Sequence, residues 1–419
     1  MRPRCLICVY DTDPIIERIL VLCQKLKPHY EIFAFVQFPD TLKLLEAHGV
    51  ETFLYKNVIG WEHGNLKDIG IKSKDGRYLS YEARAYGQQY DWANYEAKLY
   101  PQIETVFDAL QPNLLLLWNG HTLPMTQFVR AAHQHQIPIR FMERGLFPGS
   151  IFIDAQGTNA RASFSHQSSY PKHFRSIGEQ VCRVFQEQYQ PVVAYKSTTT
   201  HQSPWIKGGP KALFIEQLDH DTNIVLFSDA FPTNEDAIAH LLETHQSAHI
   251  QLVIKEHPEQ ESKPRTSKHF QELRVNNGDL RALLLEADLV LTRNSSVGFE
   301  ALVFGKPVIA LGQAFYSNFT VQHARDTLAS SPMSSREELH AFVGQIFVEN
   351  HIFTDTHISQ IYPPTGAMDS LLPRQLQLNP SNQIQPKKPA WRNRLIKNLG
   401  TRLWQLRLRV RSLKARLRA

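Results

Sequence analysis

Four short stretches of this 419-residue chain carry side chains suited to chemistry. The first is Thr292-Arg293-Asn294-Ser295-Ser296-Val297-Gly298-Phe299-Glu300-Ala301-Leu302, where an apolar strand run passes through small polar residues into a helical pattern. Backbone N–H groups at a helix start, with the Ser295 and Ser296 hydroxyls, make a cradle for phosphate. In that reading Asn294 lines the loop, Gly298 allows close packing, and Glu300, one turn in, reaches a ribose. Serine is also a favoured N-cap, so the stretch serves equally well as an ordinary helix start. The second is Gln251-Leu252-Val253-Ile254-Lys255-Glu256-His257-Pro258. Its strand run ends in a cation, an imidazole and a proline that fixes the turn. Lys255 can offset phosphate charge, and His257 can protonate a departing phosphate or hydrogen-bond to it. Two such strand ends in one sheet converge on one rim and together read as a nucleotide site.

The third stretch is Phe141-Met142-Glu143-Arg144-Gly145-Leu146-Phe147-Pro148-Gly149-Ser150. Glu143 is a candidate acid/base and Arg144 a candidate partner for an anionic carboxylate; a structural Glu-Arg pair at a turn is the alternative. Trp118-Asn119-Gly120-His121 ends the preceding strand run and faces the same rim. The fourth is Leu226-Phe227-Ser228-Asp229-Ala230-Phe231-Pro232, which reads as the end of a strand with Asp229 as nucleophile or base. Asp236 is its fallback, although with Glu235 it fits the first turn of a helix. Asp11-Thr12-Asp13 matches the metal-binding DxD pattern. It also lies directly before a helix starting at Pro14, where aspartate caps, and capping is preferred.

The elements that position these residues alternate. Strand patterns fall at 5–10, 31–37, 51–55, 114–118 and 137–142, with helical periodicity at 14–26, 41–47 and 121–135. Residues 60–100 read as an insertion and 170–188 as a helix. Ser-Thr-Thr-Thr-His-Gln-Ser-Pro at 197–204 reads as a linker. Alternation resumes with strands at 224–227, 251–255, 289–292 and 307–311, and helices at 235–244, 280–286 and 297–304. Two such blocks predict an α/β protein with two Rossmann-type, doubly wound parallel sheets facing a cleft, and ligands beyond the carboxyl ends of the strands. The expected domains are 1–200, 201–375 and a tail at 376–419.

Hydrophobic residues make up 42% and charged residues 21%, which excludes a wholly disordered chain. The four cysteines show no framework spacing, and Cys5 and Cys8 sit inside an apolar run, so they read as core thiols of a reducing compartment. Neither a signal peptide nor a spanning helix is expected, which points to the cytoplasm or the cytoplasmic face of a membrane. Twelve Lys and Arg and no acidic residue lie between Pro386 and Ala419; without them the formal +6 of the chain becomes −6. A nucleic-acid role therefore cannot rest on overall charge. In the same tail Leu395, Leu399, Leu403, Leu406, Val410, Leu413 and Leu417 recur at three- and four-residue spacing. With Trp391 and Trp404 they predict a basic amphipathic helix on an anionic membrane surface, the alternatives being an RNA-binding arm or a coiled-coil seam.

Taken together, Trp118-Asn119-Gly120, Glu143 to Gly149, Asp154…Gly157-Thr158-Asn159, Lys255…His257-Pro258, Asn294 to Leu302 and Gly305-Lys306-Pro307-Val308…Gly312-Gln313-Ala314-Phe315-Tyr316 resemble the bacterial capsule polysaccharide biosynthesis family, which includes the retaining β-Kdo transferases. The resemblance covers roughly 114–316. It implies a GT-B-like fold and transfer of Kdo from CMP-Kdo to a lipid-linked capsule or O-antigen glycan, with retention through a carboxylate nucleophile. It implies that Lys255, His257, Ser295 and Ser296 hold the CMP phosphate and that Glu143 lies by the sugar. Asn119, Arg144, Asp154, Asn159 and Gln313 fall at substrate positions. The family's nucleophile follows the first strand of the second block, where Asp229 is the match. No metal or other cofactor is expected. Related alternatives are a sialyltransferase-like enzyme and a glycan-binding assembly protein without catalysis.

Overall fold

A computed structural model describes residues 2–9, 13–61, 92–188, 205, 209–219, 221–245, 250–257, 274–275, 279–321 and 335–354. The chain forms two compact units, one built on Met1–Glu143 and one on Arg144–Pro373. The basic tail, the expected linker at 197–204, most of the expected insertion, Asp11 and Pro258 lie outside the described residues.

The first unit runs β1 (Arg4–Cys8), α1 (Asp13–Leu26), β2 (Glu31–Val36), α2 (Pro39–Ala47), β3 (Glu51–Leu54), α3 (Tyr55–Val58), α4 (Trp92–Leu110), β4 (Leu114–Trp118), α5 (Met125–Gln134) and β5 (Ile139–Arg144). The strands are parallel and ordered β5-β4-β1-β2-β3. Every residue of β1 and β4 is buried, as strands covered on both faces require. Helix α1 turns Ile15, Ile19, Leu22, Cys23 and Leu26 inward. That spacing makes one helical face. Phe35 packs against Phe53, Tyr55 and Phe128, with ring centroids 5.3–5.6 Å apart. Cys5 and Cys8 are free, buried thiols of β1, and burial pushes the pKa of each up.

The second unit runs β6 (Ser150–Asp154), α6 (Arg175–Glu187), β7 (Lys211–Ile215), α7 (Thr222–Phe227), α8 (Asn234–His245), β8 (Gln251–Lys255), β9 (Arg274–Val275), α9 (Leu280–Glu286), β10 (Leu289–Thr292), α10 (Ser296–Val303), β11 (Val308–Ala310), α11 (Arg336–Asn350) and β12 (His351–Phe353). Its parallel sheet is ordered β11-β10-β7-β8-β9. Strands β6 and β12 form an antiparallel pair. Both parallel sheets therefore follow one plan. The chain starts in the middle, steps outward twice, then crosses back to build the other side. The crossing leaves a topological switch point between β1 and β4 in the first unit and between β7 and β10 in the second, the place where such sheets bind ligands.

Two expectations are corrected here. Residues 224–227 are helical, not a strand. A run of four apolar residues does not by itself distinguish the two states. Here the Asp221 side chain accepts from the Asn223 N–H (2.7 Å) and caps a short helix. The first strand of the second sheet is β7 instead, thirteen residues earlier by its first residue. The division between units also falls at Glu143/Arg144 rather than near 200, because α6 belongs with α11. The two helices cross so closely that a β-carbon at Gly178 would overlap the His340 carbonyl, and one at Gly344 the Phe174 carbonyl. Among the described residues no helix is long and apolar enough to cross a membrane.

Candidate functional site at the second switch point

Parallel register aligns three strand ends. Ile215 of β7 pairs with Lys255 of β8 on one side and with Thr292 of β10 on the other. Strands lie about 4.8 Å apart, so Lys255 and Thr292 end about 10 Å from each other across β7. The Glu216 N–H donates to the Lys255 carbonyl (3.0 Å), which keeps the two strand exits together.

A dense polar network knits β7 to β10. Gln217 Oε1 accepts from Thr292 Oγ1 (3.2 Å) and from the Asn294 N–H (3.0 Å), and Gln217 Nε2 donates to Asn294 Oδ1 (3.0 Å). Asn294 Nδ2 donates to the Asn223 carbonyl (3.0 Å). Asn294 is buried and its amide is committed to the protein, so it shapes the loop rather than meeting a ligand. Arg293 is wholly buried and bonded to Asp219, Asn234 and three carbonyls.

The loop after β10 leads directly into α10. Ser295 is the N-cap of α10, and its hydroxyl accepts from the Val297 N–H (3.2 Å). Ser296 is exposed and presents its hydroxyl at the helix start. Gly298 acts through packing: a β-carbon there would overlap the Tyr316 hydroxyl, which donates to the Ser295 carbonyl. Glu300 is 3% exposed and lies inside the helix packing, which corrects its expected reach to a ribose. Burial, with the Glu300 carboxylate adding to it, pushes the Tyr316 phenol far up. Lys255 is 5% exposed; burial lowers its pKa, and the Glu256 carboxylate opposes that shift. His257 is half-buried at the same strand end. Gln313 is exposed, and its N–H donates to the Phe227 carbonyl (2.8 Å), holding the loop after β11 beside α7.

The two acidic candidates of the fourth stretch change meaning. Asp229 follows helix α7, not the first strand, and is exposed beyond the helix end. Asp236 Oδ2 accepts from the Thr233 N–H (3.2 Å) and Oγ1 (2.6 Å), while Thr233 Oγ1 accepts from the Asp236 N–H (3.1 Å). That is a reciprocal cap on α8, as its first-turn position suggests. The aspartate that does follow the first strand is Asp219. Its Oδ1 accepts from Arg293 Nη2 (2.8 Å) and from the Asn234 N–H (3.1 Å). Its side chain is 43% exposed. Sequence reasoning missed Gln217, Asp219 and Asn234. The signal was present in Gly-Gly-Pro followed by Lys-Ala-Leu-Phe-Ile, a turn and then a strand run.

In the first unit, Asn119 and Glu143 end adjacent strands. Asn119 Nδ2 donates to Glu143 Oε2 (3.3 Å), and Asn119 Oδ1 accepts from the His121 N–H (3.2 Å). Asn119 adopts a left-handed φ of 64°, which favours a short polar side chain that bonds locally. Arg144 is exposed.

Asp154 and Asn159 belong to the second unit, and the Asp154 carboxylate is committed to the protein rather than open to a substrate. Asp154 is fully buried. Its oxygens accept from the Gln156 (2.7 Å), Gly157 (3.1 Å) and Ser163 (3.1 Å) N–H groups, from Asn350 Nδ2 (3.1 Å) and from Ser163 Oγ. It organises the loop and ties it to α11. Asn159, with φ 56°, supplies that loop's left-handed turn, and its carbonyl accepts from Ser165 Oγ (3.1 Å). Among the described residues no group of three His, Cys, Asp or Glu could hold a metal.

The class is that of a doubly wound α/β protein with a Rossmann-type parallel sheet in each unit. Residues 164–352 match the model of a family described as capsule polysaccharide biosynthesis protein, so the resemblance drawn from the motifs holds over that segment. Protein FixF of Sinorhizobium fredii (strain NBRC 101917 / NGR234) is 28% identical over 211 residues, 49% of this chain and 49% of that protein. The chain thus spans about half the length of this relative. Two KpsC structures from Thermosulfurimonas dismutans are similar at 17% identity. The one described as a β-Kdo 2,4 transferase matches with TM-score 0.45 over 60% of this chain and 88% of that one. The one described as a β-Kdo 2,7 transferase matches with TM-score 0.44 over 62% and 88%.

Proposed function

We propose that the chain is a glycosyltransferase that moves Kdo from CMP-Kdo to a lipid-linked capsule or O-antigen glycan, retaining configuration through a carboxylate nucleophile. The observation that carries this reading is the set of groups at the β7–β10 switch point. A half-exposed carboxylate, Asp219, stands beside a serine-rich helix start and next to the Lys255–His257 strand end, inside the segment that matches the family. Asp219 follows β7, the first strand of this sheet, and this supports its assignment to the nucleophile position that the resemblance implies.

In this mechanism Ser295, Ser296 and Lys255 hold the CMP phosphate, with His257 beside it. Asp219 attacks the anomeric carbon of Kdo as its bond to the phosphate oxygen breaks, and CMP leaves with the electron pair. The acceptor hydroxyl then attacks the same carbon and gives up its proton to solvent, and Asp219 departs as carboxylate. Two displacements at one carbon retain configuration. The basic tail places the enzyme on the cytoplasmic membrane face, where lipid-linked acceptors are found.

Incubation with CMP-Kdo and a synthetic acceptor tests the reading. Release of CMP with a β-linked product supports it; turnover only with another activated sugar removes the Kdo assignment. Without acceptor, intact mass should show one Kdo adduct that is lost in Asp219→Asn and kept in Asp229→Ala. The reverse pattern returns the role to Asp229.

A further inference from the structure

Arg293 directly follows β10 at the switch point, yet it is 0% exposed. Its Nη1 donates to the carbonyls of Phe231 (3.5 Å) and Pro232 (2.9 Å). Its Nη2 donates to the Gln217 carbonyl (2.9 Å), to Asn234 Oδ1 (2.9 Å) and to Asp219 Oδ1 (2.8 Å). The guanidinium therefore cannot reach a bound phosphate. As a stabilising device it is also a poor choice: burying a cation is costly, and its one ion-pair partner is 43% exposed. Burial lowers the Arg293 pKa, and the Asp219 carboxylate acts against that.

What the arrangement does achieve is orientation. Asp219 Oδ1 is held from two sides, by Arg293 and by the Asn234 N–H (3.1 Å). Asn234 is itself clamped, with Nδ2 donating to the Gln217 carbonyl (2.8 Å) and Oδ1 accepting from Arg293. Asp219 Oδ2 has no hydrogen-bond partner among the described residues. A flexible carboxylate in a loop is thus reduced to one pose with one oxygen committed and the other available. The planar fork of arginine can bridge the three segments at once; the single ammonium of lysine cannot.

We propose that Arg293 is a positioning residue that holds Asp219 by Oδ1 and so presents Oδ2 for reaction at the β7–β10 crevice. The proposal rests on the assignment of Asp219 as the reacting carboxylate. It is tested with the full chain and four proteins: wild type, Arg293→Lys, Asp219→Asn and the double variant. CMP itself serves as the binding probe. Arg293→Lys should bind CMP within threefold of wild type and keep the donor KM, while kcat falls about 100-fold, the loss expected when a reacting group is misplaced by about 1 Å. The double variant should be no slower than Asp219→Asn, because Arg293 acts through a carboxylate already removed. A merely structural role would instead multiply the two losses and weaken CMP binding in parallel. Multiplied losses, or a lysine variant within threefold of wild-type kcat, overturn the proposal while leaving Asp219 in place. Full turnover by Asp219→Asn overturns the underlying assignment, and the proposal with it. If wild type consumes no CMP-Kdo, the melting temperatures of the same four proteins decide: losses that simply add show that the pair is uncoupled and end the proposal.

Discussion

Lowering the pH should destabilise the second unit through one histidine. His351 is 4% exposed at the junction of α11 and β12. Its Nδ1–H donates to the Ile346 carbonyl (2.7 Å), and its Nε2 accepts from the Leu146 N–H (3.0 Å). The ring lies between Phe147 and Phe152, with centroids 4.7 Å and 5.6 Å away. Both nitrogens are thus satisfied only in the neutral form. Burial lowers its pKa from 6.5 to about 4, against a smaller raising effect of the Ile346 carbonyl. The unfolded chain binds the proton more tightly, so the contribution of neutral His351 is fully present above pH 6.5 and is lost as the pH falls toward 4. The full loss is about 3 kcal/mol at about 1.4 kcal/mol per pKa unit, and about 2 kcal/mol of it appears by pH 5. Urea unfolding at pH 8 and pH 5 measures this in wild type and in His351→Gln. The glutamine variant should be less stable at pH 8 yet lose about 2 kcal/mol less between the two values. Other titrating groups are common to both proteins and cancel. Equal losses in the two proteins would refute the argument.

Phe147 fills the core of the second unit, edge-on to Phe185, Phe299, Phe347 and His351, and Phe147→Ala should cost about 3–5 kcal/mol in the same urea assay. Gly344→Ala forces a methyl into the Phe174 carbonyl at the α6–α11 crossing and should cost at least about 2 kcal/mol, visible as a lowered melting temperature. Removing residues 386–419 takes away twelve positive charges and should abolish flotation with vesicles containing anionic phosphatidylglycerol; unchanged flotation sinks the membrane reading.

Where burial and periodicity agreed, the sequence was readable. The runs at 114–118, 251–255, 280–286 and 289–292 are β4, β8, α9 and β10 to the residue. Each is a compact apolar run with polar neighbours. The run at 224–227 failed because four apolar residues fit one face of a short helix as well as a strand, and the cap at Asp221 decided it. That single misreading put Asp229, not Asp219, in the loop after the first strand of the second sheet. The motif residues divided for a different reason. Asp154 and Asn294 look like ligands because they are small and polar, but both spend their hydrogen-bonding groups on the protein. Pattern alone does not say whether a polar side chain turns toward solvent or toward the backbone. The boundary near 200 was missed because the α6–α11 contact joins residues far apart in the chain, which no local signal reports.

That helix crossing also sets an order of events during synthesis. Helix α6 emerges from the ribosome about 160 residues before the strand of glycine and carbonyl contacts on α11 that covers it, a wait of roughly 10–30 s at about 5–20 residues per second. The nascent chain should therefore carry an exposed, apolar face of α6 for more than a third of its production. A holdase that recognises α6 during that interval, and lets go once α11 arrives, is the kind of assistance this architecture calls for.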